Sequence, residues 1–236
     1  LSAAIGQFRL WTVLVLAITG AVLAMRAQLD LSADRQRPEP GAWTLLGVFG
    51  LLFLWLALYP PHGFDEQAYH LPIARSLVES GGLRWLDHLR FPAFPQLAEL
   101  LAAALSLVAA QAQPLLADRA IHLPQAVAAI AIAGLLIEEA RDCGRPANGL
   151  LSAALFLGSP LVVYQAFTLY IDLVLTLAVL LAVVAASRFR AQSAEPEAGA
   201  WLRLAGLAVG SAFAVKYSGA FAGFLGLLWV VPGGLR

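Results

Sequence analysis

Long apolar runs separated by short polar intervals organise the chain, and the runs have membrane length. A helix needs about 20 apolar residues to cross the hydrocarbon core. Residues 8–29 and 43–59 suit that role, joined by a polar link holding Asp34, Arg35, Arg37, Pro38 and Pro40. Tyr59-Pro60-Pro61 stops the second run. Further spans are predicted over 120–137, 149–167, 169–186, 201–215 and 220–231. The stretch 150–190 as one helix would be about 60 Å long, twice the core thickness. A break near Thr168-Leu169-Tyr170-Ile171-Asp172 therefore makes two antiparallel spans and leaves Asp172 at a membrane face. Pro160 after Gly158-Ser159 predicts a kink, and 191–200 reads as a loop. The fold class is all-α, a polytopic transmembrane helix bundle of about 7–8 segments.

The longest polar interval, 60–96, opens with Gly63-Phe64-Asp65-Glu66-Gln67-Ala68-Tyr69-His70-Leu71-Pro72. Ionisable groups clustered beside a bilayer are costly and face water, a partner or a substrate. Pro72 suits the first turn of a short helix ending at Gly81-Gly82. Leu71, Ala74, Leu77 and Val78 share one face of it, with Arg75 and Glu79 on another, so it is predicted to lie along the membrane surface. Arg84, Asp87, His88 and Arg90 form a second polar cluster. The interval is thus an extracytoplasmic loop carrying interfacial helices, within a single membrane domain covering 1–236. The start at Leu1 and the stop after an apolar run suggest the N-terminal part of a longer protein.

Composition excludes several classes. With 60% hydrophobic and 13% charged residues and a mean hydropathy of +0.77, the chain is not an ordinary soluble domain. Fifteen basic and fifteen acidic residues cancel, which gives nucleic acid no electrostatic hold. Cys143, the single cysteine, can form no internal disulfide and reads as a plain thiol.

Leu97–Ala112 is short for a span and carries Glu99. Lys and Arg gather on the cytoplasmic side. With the long loop outside, a spanning Leu97–Ala112 puts 5 of the 15 basic residues inside; one that dips in and returns puts 9 of the 15 there. The second arrangement makes Arg141/Arg145 and Arg188/Arg190 inside loops, and it alone sets Asp65 on the same face as Asp172 and Lys216.

Several short motifs occur in a telling order: Phe64-Asp65-Glu66, Tyr69-His70-Leu71-Pro72-Ile73-Ala74-Arg75, Gly81-Gly82, and Phe94-Pro95-Gln96-Leu97-Ala98-Glu99-Leu100. Arg119 with Leu123-Pro124, Tyr170-Ile171-Asp172 and Ala214-Val215-Lys216-Tyr217-Ser218-Gly219 follow. Together they resemble membrane-embedded glycosyltransferases of the GT-C class, the group that includes protein O-mannosyltransferases and lipid A aminoarabinose transferases. Two departures stand out. The chain shows two spans before the acidic loop where many relatives have one. Where relatives carry a lysine before the proline, it reads Phe91-Pro92-Ala93-Phe94-Pro95, with Arg90 the nearest cation.

The resemblance implies a multi-pass protein of a bacterial inner membrane that takes a polyprenyl-phosphate sugar at the extracytoplasmic face, with membrane lipid and that donor as its partners. Asp65 is the candidate base for the acceptor hydroxyl, with Glu66 the second catalytic candidate. Arg75, Arg90 or Lys216 would stabilise the departing phosphate. Tyr69, His70, Glu99 and Asp172 are candidate substrate-binding groups, and Asp65 with Asp172 could hold a divalent cation through oxygen. Glu99 either lines the cavity or pairs with a cation such as Arg119. His88 and His122 are assigned no role. Gly206/Gly210 and Gly219/Gly223 have close-packing spacing for membrane helices. Two other readings stand beside catalysis: an accessory subunit of a larger membrane assembly on a degenerate transferase scaffold, and a transporter lined by Glu99, Asp172 and Lys216.

Overall fold

The computed structural model describes residues 40–89, 91, 94–192, 198–221 and 223. The predicted span 8–29, most of 220–231, and Arg90 lie outside these residues. Among those described, every regular element is helical. Helix α1 (Pro40–Ala57) ends just before Tyr59-Pro60-Pro61 and turns Trp43, Leu51 and Trp55 largely outward, as a lipid-facing helix does. A single π-turn, Glu66–His70, leads into α2 (Leu71–Ser80), which has Pro72 in its first turn. Gly81 ends α2 at φ 68° and donates to the Leu77 carbonyl, a left-handed cap that only glycine adopts cheaply.

α3 (Leu97–Ala112) follows the loop, and Ala120–His122 then forms a 3-10 turn before α4 (Leu123–Asp142). α5 (Pro146–Leu157) and α6 (Pro160–Ala166) are bent by 65° across Gly158-Ser159. The chain breaks at 167–171 and resumes as α7 (Asp172–Ala191), and both interruptions fall where the sequence sets them. α8 (Ala198–Val215) runs back beside α7 and closes on a 3-10 turn, Tyr217–Gly219. Four helical stretches among the described residues are long and apolar enough to cross a membrane, or five when α5 and α6 count as one span.

α4 is the central post, packed against α1, α5 and α7, with Ala128, Ala129, Ile132 and Ala133 buried there. Small residues let these helices approach closely where no hydrophobic effect drives them together. Gln125, fully buried on α4, accepts from the Leu173 N–H at 3.1 Å and so fixes the start of α7. At the opposite ends of α4 and α7, Arg188 meets Glu139 at 2.6 Å and Asp142 at 2.5 Å. Arg141 and Arg188 thus sit at the end of the bundle away from Asp65.

Two expectations change in the assembled fold, and a third is supported. The apolar face of α2 does not lie open along a membrane surface: Leu71, Ile73, Ala74 and Leu77 are buried with Ala102 and Ala103 of α3. α3 returns to the face it leaves, since Ala98 packs with Ile171 and Val215 while Ile121 packs beside Ala102 and Ala103. This favours the non-spanning arrangement. Of the glycine pairs, Gly219 is tight, because a Cβ there would fall 2.2 Å from the Ala212 carbonyl, whereas Gly206 and Gly210 face open space.

Candidate functional site

The π-turn sets the site's geometry. Its Leu71 N–H reaches back five residues to the Glu66 carbonyl, widening the turn from which Asp65, Glu66, Tyr69 and His70 project. Such turns recur at functional sites. Asp65 remains half-buried and open on one side. Tyr69 and Tyr170 lie close enough for its charge to act on both hydroxyls. Burial, then the bond to Asp65 and its charge, raise the Tyr69 pKa well above the phenol range. Burial, with the Tyr164 bond and the Asp65 charge, pushes Tyr170 up to about 12. Both tyrosines therefore stay protonated around an acidic group.

Glu66 points the other way, into the protein, and is fully buried. Its Oε2 accepts from the N–H groups of His62 at 2.9 Å and Gly63 at 2.8 Å. Its Oε1 accepts from the Leu169 N–H at 3.0 Å and from His122 Nε2. Burial alone would raise the Glu66 pKa, but the bond and charge of His122 and the N–H groups of Gly63 and His62 outweigh it and lower it. The expectation that Glu66 shares the substrate chemistry is corrected here: neither oxygen is free to meet a substrate.

His70 and Glu99 are likewise interior. His70 Nδ1 lies 2.5 Å from Glu99 Oε1, so Glu99 takes histidine rather than Arg119 as its partner. Glu99 Oε2 has no hydrogen-bond partner among the described residues. Lys216 donates to Asp172 at 3.2 Å, and Gln165 Nε2 lies 3.5 Å from the other Asp172 oxygen. Arg75 is engaged by Asp118 at 3.2 and 2.7 Å, on the wall of a cleft of 370 Å³ lined by Pro61, Gln67, Leu71 and Pro72.

Aromatic rings join these groups into one surface. Tyr69 meets Phe91 with centroids 5.1 Å apart, Phe91 stacks on Phe94, and Phe94 meets Tyr217 beside Lys216 at 6.0 Å. Tyr170 lies two residues before Asp172 in the chain. Ring contacts thus link Tyr69, beside Asp65, to Tyr217, beside the Lys216–Asp172 pair, while Arg75 lines the cleft with Gln67 and Asp118. Among the described residues no three His, Cys, Asp or Glu side chains gather as metal ligands, and Asp172 is taken up by Lys216 and Gln165.

His122 is the residue the sequence reasoning passed over. Fully buried, it carries the Glu66 bond and also places Nδ1 3.0 Å from the Ala57 carbonyl. An ionisable ring at the mouth of a membrane span was the available signal.

The described helices are those of a multi-pass membrane protein, with Asp65 at the start of a π-turn between α1 and α2. The family described as dolichyl-phosphate-mannose-protein mannosyltransferase matches residues 99–235, more than half of the chain. The chain belongs to that family, which is of the GT-C type. The matched region takes in Glu99, Asp172 and Lys216 and begins after Asp65. An uncharacterized protein of Shigella flexneri is 45% identical over 64 residues, which cover 24% of this chain and 32% of that protein. The match spans about a third of that curated relative's length. No solved structure matches the chain.

Proposed function

We propose that the chain forms the membrane domain, 1–236, of a transferase that moves a sugar from a polyprenyl-phosphate donor to an acceptor hydroxyl at the extracytoplasmic face. What supports this is the half-buried Asp65 at the π-turn, beside Tyr69, whose ring contacts run through Phe91 and Phe94 to Tyr217, the chain neighbour of the Lys216 that pairs with Asp172. The acceptor oxygen attacks the anomeric carbon and its proton passes to Asp65. The bond from that carbon to the phosphate oxygen breaks, and its electron pair leaves with the polyprenyl phosphate. Lys216 is the cation for the departing phosphate. Tyr69, protonated throughout, orients the Asp65 carboxylate. The resemblance in motif order, the family membership and the apolar helices support this reading, with a bacterial inner membrane as the setting.

The test is the profile of polyprenyl-phosphate-linked sugars, by mass spectrometry, in membranes carrying the full-length protein or its Asp65→Asn variant. A sugar lipid accumulating only with the folded variant identifies the donor. Identical profiles with both proteins folded remove Asp65 as the base and leave an accessory subunit of a larger membrane assembly.

A further inference from the structure

The Glu66–His122 contact is unused by the transfer chemistry, yet it lies directly behind it. Four donors converge on one carboxylate, and they come from chain positions 62, 63, 122 and 169. His122 adds a fifth position by reaching the Ala57 carbonyl at the end of α1. Two of the tied positions adjoin the site. Glu66 is the chain neighbour of Asp65, and Leu169 is the chain neighbour of Tyr170, whose oxygen faces Asp65. One carboxylate therefore sets both the Asp65 backbone and the tyrosine opposite it.

That carboxylate needs a counter-charge, since an unpaired ion with no exposure to water is costly. Both ring nitrogens of His122 face oxygen acceptors, Ala57 O and Glu66 Oε1. Each contact needs a hydrogen, so the ring that serves an ionised Glu66 carries two protons. The pair is then neutral overall and fully committed.

We infer that His122 is a positioning residue for the transfer step, holding Glu66 in the arrangement that aligns Asp65 with Tyr170. This rests on the assignment of Asp65 as base. Without His122, Oε1 keeps only the Leu169 N–H, and the π-turn loses its side-chain tie to the start of α4 and, through the Ala57 carbonyl, to the end of α1. The substrate-facing groups remain present but shift relative to one another. Displacements of about 1 Å in reacting groups cost about 100-fold in rate.

The experiment uses the full-length protein in nanodiscs, with a total extract of the producing membranes supplying both the polyprenyl-phosphate sugar donor and the acceptor, and release of polyprenyl phosphate as the readout per folded protein. His122→Leu is expected to lower kcat about 100-fold while the donor KM stays within about twofold, because no donor contact is removed. His122→Gln, which keeps one N–H for Glu66, recovers a substantial part of that loss, as a purely space-filling role would not require. Because both residues act through one contact, His122→Gln combined with Glu66→Gln is no slower than Glu66→Gln alone. Hydrogen exchange quickens over 62–66 and 168–171 and is unchanged along α4 and α7.

A wild-type rate in His122→Leu overturns the inference, as do losses that multiply in the double variant. Should His122→Leu fail to fold, His122→Gln and the double variant decide. Full activity in Asp65→Asn removes the base instead. If the unsubstituted protein turns nothing over, the functional reading falls, and unchanged exchange over 62–66 and 168–171 in His122→Gln would remove the clamp separately.

Discussion

Replacing Glu66 with glutamine keeps the shape of the side chain, removes its charge and exchanges one acceptor for a donor. With the amide oxygen at the Oε2 position, the bonds from His62 and Gly63 survive. The amide NH₂ then faces His122, which can lose a proton at Nε2 and accept while Nδ1–H keeps the Ala57 carbonyl. The Leu169 N–H, 3.0 Å away in the native protein, meets a donor and is left unsatisfied. The opposite amide orientation orphans two N–H groups, so the first prevails. One buried unsatisfied donor costs about 1–3 kcal/mol. Losing charge assistance on the surviving bonds adds about 1 kcal/mol, for a total near 2–4 kcal/mol.

Thermal unfolding of the purified protein in nanodiscs, followed by tryptophan fluorescence across pH, measures this. A cost of that size lowers the midpoint by roughly 4–16 °C for a chain of this length. The pH dependence carries a definite sign. The folded-state pKa of Glu66 is lowered below the ordinary 4.5, so its contribution is fully present above pH 4.5 and is lost as pH falls through the folded value. The gap between wild type and Glu66→Gln should therefore narrow as pH falls below 4.5. A Glu66→Gln protein that melts with wild type at pH 7, or a gap that widens as pH falls below 4.5, refutes the reasoning.

Lys216→Met should slow donor turnover by about 100-fold, the usual loss when a charge-stabilising group is removed from a transition state. Its half-exposed pair with Asp172 adds little stability, so the melting point should barely move; normal turnover would exclude Lys216 from phosphate stabilisation. Gly219→Ala places a methyl where the Ala212 backbone already lies, and should cost about 1–3 kcal/mol by overpacking. An unchanged melting curve would contradict the close approach. Arg75→Ala breaks an exposed pair with Asp118 on the separate cleft, so it should change stability by less than about 1 kcal/mol and cause no sugar-lipid accumulation. Accumulation in that variant would bring Arg75 back into the site.

The sequence by itself determined the helical membrane architecture, because length, apolar content and chain-breaking residues are local properties. The break at 167–171, the bend at Gly158-Ser159 and the glycine stop of α2 were legible for that reason. So was the prominence of Asp65, an acid stranded beside apolar spans. The pairings were not. Glu66 meets His122 and Leu169 across 56 and 103 residues, and His70 meets Glu99 across 29. Which of two adjacent acids faces the interior depends on where distant segments deliver their donors. Tertiary packing also decided that the apolar face of α2 is covered by α3, and that Gly219 is squeezed while Gly206 and Gly210 are not. Local periodicity shows that a face or a charge must be satisfied; only the assembled helices supply the partner, because hydrogen bonds and close packing require atoms within a few ångströms, whatever their separation along the chain.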